Sequence, residues 1–276
     1  MSQLAPDPIV ILGAPRSGTT YLQGIMVRHP EVAISNEVRL FEWLRRATTM
    51  PDDERVLFGR ADEFLGHLRR ELPGVIRSWY AAMAPRARWW GDKNPHYAES
   101  RATLDTIVEL FPGARFVHIV RDPRAVIGSL LKKRHADGRP WVIPEEAHVL
   151  VGTHLNIAAE FGQACGGERF FELRYEDLVA DDEARASELF EWLGIPFTDE
   201  VAAFCRSQQR ERTAFSGPTS DLGVAGGRAE AIAAWSAALP ADARPVSLQF
   251  LAPFLLRYGY EDEASLDAAN RSLPGE

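Results

Sequence analysis

The chain has 276 residues, 46% of them hydrophobic and 25% charged, which is the composition of a globular protein with enough apolar surface for a large core. Its net charge of -8 excludes a broad nucleic-acid or anionic-membrane footprint, since both need the opposite sign, so any anion site must be local. Two cysteines, Cys165 and Cys205, exclude a disulfide framework and a paired metal-ligand pattern, and both read as buried thiols.

Met1 to Pro8 lacks the basic-then-apolar build of a signal peptide, and no apolar run approaches the roughly 20 residues that span a bilayer. A cytoplasmic protein is the expectation. Ile9–Leu12 is the first strand candidate and runs directly into Gly13-Ala-Pro-Arg-Ser-Gly-Thr-Thr20, after which a helical pattern with Leu22, Ile25 and Met26 on one face begins. A strand, a glycine-containing loop and a helix N-terminus present free backbone N–H groups and a dipole to an anion.

The spacing fits Gly-x-x-x-x-Gly-x-[Ser/Thr], with Gly13, Gly18 and Thr20 in register. Thr19 stands where a nucleotide triphosphatase carries Lys, and the cation sits inside the loop as Arg16. Cleavage of a β,γ-phosphate bond is therefore poorly supported.

Val32–Ile34 is the second strand candidate, and Glu37 follows it at the mouth of the sheet. Segment 38–88 reads as a mainly helical insertion with breaks around Pro51 and Pro73. Trp89–Trp90 is a third strand, followed by Gly91-Asp-Lys-Asn-Pro95, and Leu104, Ile107, Val108 and Phe111 mark the next helix. Phe116–Val120 leads into Arg121-Asp-Pro-Arg124 and a helix carrying Ser129 and Lys133. Arg121 is suited to bidentate contact with a phosphate and Ser129 adds a compact donor. Phe170–Leu173 precedes Arg174-Tyr175-Glu-Asp-Leu178, and a helix with Leu189, Phe190 and Leu193 stops at Gly194 and Pro196. A Gly-rich stretch, Ser216 to Arg228, precedes a further helix, and residues 261–276 read as a flexible polar tail.

Alternation of strands and helices implies one α/β domain over residues 1–276, with a central parallel sheet flanked by helices in three layers. Ligands bind beyond the carboxyl ends of such strands. The polar groups collected there are Gly13–Thr20, Asn36 and Glu37, Asp92 and Lys93, Arg121 and Asp122, and Tyr175. Phe41, Trp43, Trp79, Tyr80 and Trp141 have the apolar character of an acceptor pocket but also the spacing of plain core, and none is assigned.

The Gly-Ala-Pro-Arg-Ser-Gly-Thr-Thr loop resembles the 5′-phosphosulfate loop of sulfotransferases that use 3′-phosphoadenosine 5′-phosphosulfate (PAPS), in the form found in tyrosylprotein-type and many bacterial members. The resemblance covers about residues 8–260. It implies a P-loop-like fold, PAPS as co-substrate, adenosine 3′,5′-bisphosphate (PAP) as product, and no metal. Arg16, Ser17, Gly18, Thr19 and Thr20 would then hold the 5′-phosphosulfate. Arg121 and Ser129 would hold the 3′-phosphate, Tyr175 would lie near the nucleotide, and Arg228 would close over it. His29-Pro-Glu-Val32 ahead of Glu37 is similar to the stretch before the base of tyrosylprotein-type members, and Asp92-Lys-Asn-Pro95 is similar to the Asp-Lys-x-Pro element whose Lys reaches the sulfuryl group.

Glu37 as base, with Arg16 and Lys93 as the catalytic cations, is the expected machinery. His118, inside an apolar strand, is expected to be packed core. The acceptor is expected to be a hydroxyl of a small molecule, with an amine left open. Neither nucleic acid nor a membrane is implied as partner, and a homo-oligomer is neither implied nor excluded. A nucleotide kinase or triphosphatase and a non-catalytic PAPS-binding protein are the rival readings.

Overall fold

The computed structural model describes residues 7–214, 233, 235–240 and 243–271. Five strands, β1 (Ile9–Leu12), β2 (Val32–Asn36), β3 (Trp89–Lys93), β4 (Arg115–Val120) and β5 (Phe170–Arg174), form a parallel sheet in the order β2-β3-β1-β4-β5. Each falls where a short apolar run was expected. The four residues of β1 are 0% exposed, as a central strand covered on both faces requires. β3 lies on one side of β1 and β4 on the other, so the chain crosses β1 between them, and the crevice forms at the carboxyl ends of these three strands. Gly91 in β3 permits their close approach, because a Cβ there would lie 1.7 Å from the Ile9 carbonyl oxygen.

One face of the sheet is covered by α1 (Thr19–Met26), α8 (Tyr175–Ala180), α9 (Asp182–Leu193) and α10 (Asp199–Ala214), through Tyr21, Leu22, Leu189, Phe190 and Cys205. On the other face pack α2 (Leu40–Ala47), α4 (Ala61–Met83), the short 3₁₀ turn Pro95–Glu99 and α5 (Arg101–Leu110), through Phe41, Tyr80, Trp90, Tyr97 and Phe111. α3 (Asp52–Phe58) begins just after Pro51. A third cluster joins α6 (Pro123–Lys132), α7 (Pro144–Cys165) and α11 (Ala243–Arg257) through Val126, Leu155 and Leu251. His118 is buried in β4, its Nδ1 2.8 Å from Glu172.

Three expectations are corrected. Pro73 does not break the insertion: α4 runs through it. An interior proline costs about 3 kcal/mol, but Leu65 on one side and Ile76 and Tyr80 on the other are buried and hold the helix at both ends of the defect. The stretch after Tyr260 is not loose as far as Arg271, because Glu263–Arg271 forms α12 with Leu266 buried in the third cluster. Its start is capped reciprocally, Ser265 N donating to Asp262 Oδ1 at 2.7 Å and Asp262 N to Ser265 Oγ at 3.0 Å. Of the two thiols, Cys205 is buried but Cys165, at the end of α7, is only half-buried.

Candidate active site

The loop between β1 and α1 folds tightly because its backbone enters regions that side chains normally avoid: φ is 75° at Arg16 and 99° at Gly18. The left-handed conformation at Arg16 costs of order 1–3 kcal/mol, strain that concentrates at functional sites. Gly18 is obligatory for a second reason, since a Cβ there would meet the Tyr175 ring at 2.3 Å. Gly18 also caps α1 without a side-chain bond, so the first amides of that helix face the loop. Inside it the Ser17 hydroxyl is 1% exposed and has no hydrogen-bond partner among the described residues. A buried unpaired donor is costly, and here it sits where an anion would pair with it.

The end of β4 supplies the second group of donors. Asp122 caps α6, accepting from Arg124 N at 3.0 Å and from the Arg124 guanidinium at 2.7 and 3.0 Å, with Pro123 preset for the first helical turn. With Asp122 committed to Arg124, Arg121 turns to the first loop. Its Nη1 donates to the Arg16 carbonyl at 3.0 Å, and its guanidinium carbon lies 4.6 Å from the centre of the Tyr175 ring. Arg16 in turn donates from Nε to Ser129 Oγ at 3.0 Å. Arg16, Gly18, Arg121, Ser129 and Tyr175 are thus one contiguous group.

β2 and β3 bring in the other side. Lys93, at the end of β3, has a side chain 0% exposed, and its ammonium donates to Glu37 Oε1 at 2.6 Å and to Thr20 Oγ1 at 3.2 Å. Glu37 is 50% exposed at its side chain, and its backbone N–H donates to the Lys93 carbonyl at 2.7 Å. The expected acid, cation and anion loop therefore meet. Arg228 lies outside the described residues.

Around the turn that carries Glu37, Asp92, read in the sequence beside Lys93, meets polar groups to which the sequence assigned no role. Asp92 is fully buried and accepts from Ser35 Oγ at 2.6 Å and from the Tyr97 hydroxyl. Tyr80 donates to the Gly91 carbonyl at 2.6 Å and lies 2.7 Å from Ser35 Oγ. Burial pushes the Asp92 carboxyl up, against the two hydroxyls and the Val38 and Leu40 amides, which lower it. Burial likewise pushes the Tyr80 and Tyr97 hydroxyls well above their usual range, so both stay protonated donors. For Ser35 the available signal was a polar residue two positions before Glu37; Tyr80, at helical spacing among apolar neighbours, offered none.

Of the aromatic candidates, Phe41 and Tyr80 are buried core, whereas Trp43 and Trp79 are exposed. The Lys133 ammonium lies 3.9 Å from the Trp141 ring centre.

A family model described as the sulfotransferase family matches residues 8–199. Protein-tyrosine sulfotransferase A of Caenorhabditis elegans is 25% identical over 262 residues, covering 93% of this chain and 68% of its own. Among solved structures, the sulfotransferase domain of the Synechococcus PCC 7002 olefin synthase superimposes with a TM-score of 0.57 at 21% identity, over 92% of this chain and 96% of that one. Mouse sulfotransferase SULT7A1, crystallised with PAP, gives 0.50 at 14% identity over 97% and 91% of the two chains.

Proposed function

This chain belongs to the sulfotransferase family, and we propose that it moves a sulfuryl group from PAPS to a hydroxyl of a small-molecule acceptor with Glu37 as the base. The observation that carries this reading is the contact of Lys93 with both Glu37 and Thr20, which puts a base, a buried cation and the anion loop within one hydrogen-bonded unit.

PAPS would supply the sulfuryl group and leave as PAP. The unpaired Ser17 hydroxyl, the first amides of α1 and Arg16 fit its 5′ end. Arg121 and Ser129 fit the 3′-phosphate: because Ser129 Oγ already accepts from Arg16, its own proton is directed to another acceptor. Tyr175 lies beneath Arg121 and would back that guanidinium at the nucleotide.

Glu37 is suited to take the proton of an acceptor hydroxyl, since one of its oxygens is held by Lys93 and half of the side chain is open to solvent. Lys93 has a third N–H beyond those given to Glu37 and Thr20, and Arg16 has its terminal nitrogens beyond the Nε used on Ser129. These donors would meet the charge that develops on the leaving oxygen, as preorganised cations do in phosphoryl transfer.

Val38, next to Glu37 in the chain, is 53% exposed and would offer a small-molecule acceptor an apolar contact beside the base. No described helix is long and apolar enough to cross a membrane, and the two free thiols accord with work in a reducing cytoplasm. A second reading, transfer to a protein tyrosine, is favoured by the likeness to the Caenorhabditis elegans enzyme along 93% of the chain.

Radiolabelled PAPS incubated with hydroxylated metabolites and with tyrosine-containing peptides tests both. Label on a metabolite and none on peptides supports the first reading, and the reverse supports the second. Metal-free calorimetric titration with PAP and ATP tests the donor, and preference for ATP would overturn it.

A further inference from the structure

We propose that Asp92 is a positioning residue for the base: its buried carboxyl gathers the turn that carries Glu37 and holds it in the conformation in which Glu37 meets Lys93. The proposal rests on Glu37 as base and goes one step further, to what sets its place.

The turn is unusual. Glu37 and Arg39 have φ of 57° and 56°, so two non-glycine residues on either side of Val38 are left-handed. Neither α2 nor β2 requires this, and a turn of ordinary residues would relax out of it unless surrounding groups over-determined it. Those groups converge on Asp92. The Ser35 hydroxyl, 2.6 Å from Oδ1, anchors the residue two positions before Glu37. The Val38 and Leu40 amides act on the same carboxyl from the far side of the turn. The Tyr97 hydroxyl donates to Asp92 while accepting from Phe41 N at 3.2 Å, which fixes the first residues of α2.

Asp92 and Lys93 are successive residues of β3 and therefore face opposite sides of the sheet. Lys93 reaches into the crevice to Thr20 and Glu37, while Asp92 reaches behind it to the backbone of the turn. One strand end thus grips Glu37 twice, by its side chain and by its backbone. Asp92 lies on the side of the sheet opposite the Thr20 and Glu37 contacts of Lys93, so it acts on the turn and not on a reacting group.

A double-mutant cycle tests this, using conversion of PAPS to PAP with phenol and with water as acceptors. Asp92→Asn keeps the shape and one acceptor oxygen, and is expected to lower kcat by about 10- to 100-fold, the cost of a base displaced by about 1 Å. KM for PAPS and affinity for PAP should stay within about twofold. In a Glu37→Gln background the same change should cost no more than about twofold, because Asp92 acts through Glu37. A crystal structure of Asp92→Asn should show Glu37 or Arg39 out of the left-handed region, or the Glu37–Lys93 contact lengthened.

An unchanged turn and contact, or an equal loss of kcat in both backgrounds, overturns the proposal. If Glu37→Gln keeps wild-type kcat, it is the base assignment that fails, and the crystal structure still decides the role of Asp92 in the turn. Should Asp92→Asn not fold, Ser35→Ala and Tyr97→Phe each remove one donor to the same carboxyl, and wild-type kcat in both would overturn the proposal.

Discussion

Arg16 Nε and Ser129 Oγ are 3.0 Å apart although 113 positions separate them in the chain. The contact ties the loop after β1 to the helix after β4, so the two groups of donors are mechanically one. Ser129→Ala should weaken PAP binding by about fivefold, the ~1 kcal/mol of one hydrogen bond, measured by calorimetric titration.

Arg121→Ala should cost more. Arg121 has a charged guanidinium to offer, supports the Arg16 carbonyl, and covers Tyr175. A charge-assisted bond is worth about 1.5–3 kcal/mol, so PAP affinity should fall by about 10- to 100-fold while ATP binding changes less. Arg121→Lys should recover little, because an ammonium has neither the planar stack nor the donor fork.

Lys93 and Glu37 should respond asymmetrically to mutation. Glu37→Gln lowers turnover by about 10²- to 10⁴-fold, and it also leaves the buried ammonium without its counter-charge, so the melting temperature drops. Lys93→Met lowers turnover by about 10²- to 10³-fold but leaves a carboxylate that water already reaches, so its melting temperature stays nearer wild type. Equal losses of stability in calorimetric melts would contradict the burial difference between the partners.

Gly18→Ala combines a side chain at φ 99° with a clash on Tyr175. PAP binding should be lost in titrations. Adding Tyr175→Ala removes the clash and not the backbone strain, so recovery should be partial at most.

His96 and Glu99 form a partly exposed pair with Nδ1 and Oε1 2.7 Å apart. The hydrogen bond to Glu99 raises the His96 pKa, against a smaller opposing effect of burial. A histidine raised in the folded state gives its full stabilisation below the unfolded value near 6.5, and loses it as pH rises through the folded value. Melting temperature should therefore decline from this pair as pH rises above about 6.5, and His96→Gln should remove that part of the slope.

Much of this arrangement was legible in the chain itself. Ile9–Leu12 has no polar residue and could only be a strand buried on both faces, and the glycines of the following loop stand where φ or a neighbouring ring excludes a side chain. Asp122-Pro123 announced a helix start, and Asp122 caps α6. Longer-range pairings were not legible. Nothing near Asp122 says that it turns to Arg124 and frees Arg121, and nothing near Tyr80 says that its hydroxyl lies under β2. Pro73 misled because local chain stiffness loses to burial on either side of it, and the stretch after Tyr260 misled because a single apolar residue, Leu266, suffices to dock a short capped helix.

The contacts of Tyr260 and Glu261 tie the start of α6 to a distant part of the chain. Glu176 accepts from Asp122 N at 3.0 Å and from the Tyr260 hydroxyl at 2.7 Å, and Glu261 lies 2.8 Å from Arg124 Nη2. The start of α6 is therefore completed by Glu176, 54 positions further on, and by Tyr260 and Glu261, well over a hundred positions further on. Any loosening of the stretch around Tyr260 would therefore be felt at the turn that carries Arg121, far back in the chain.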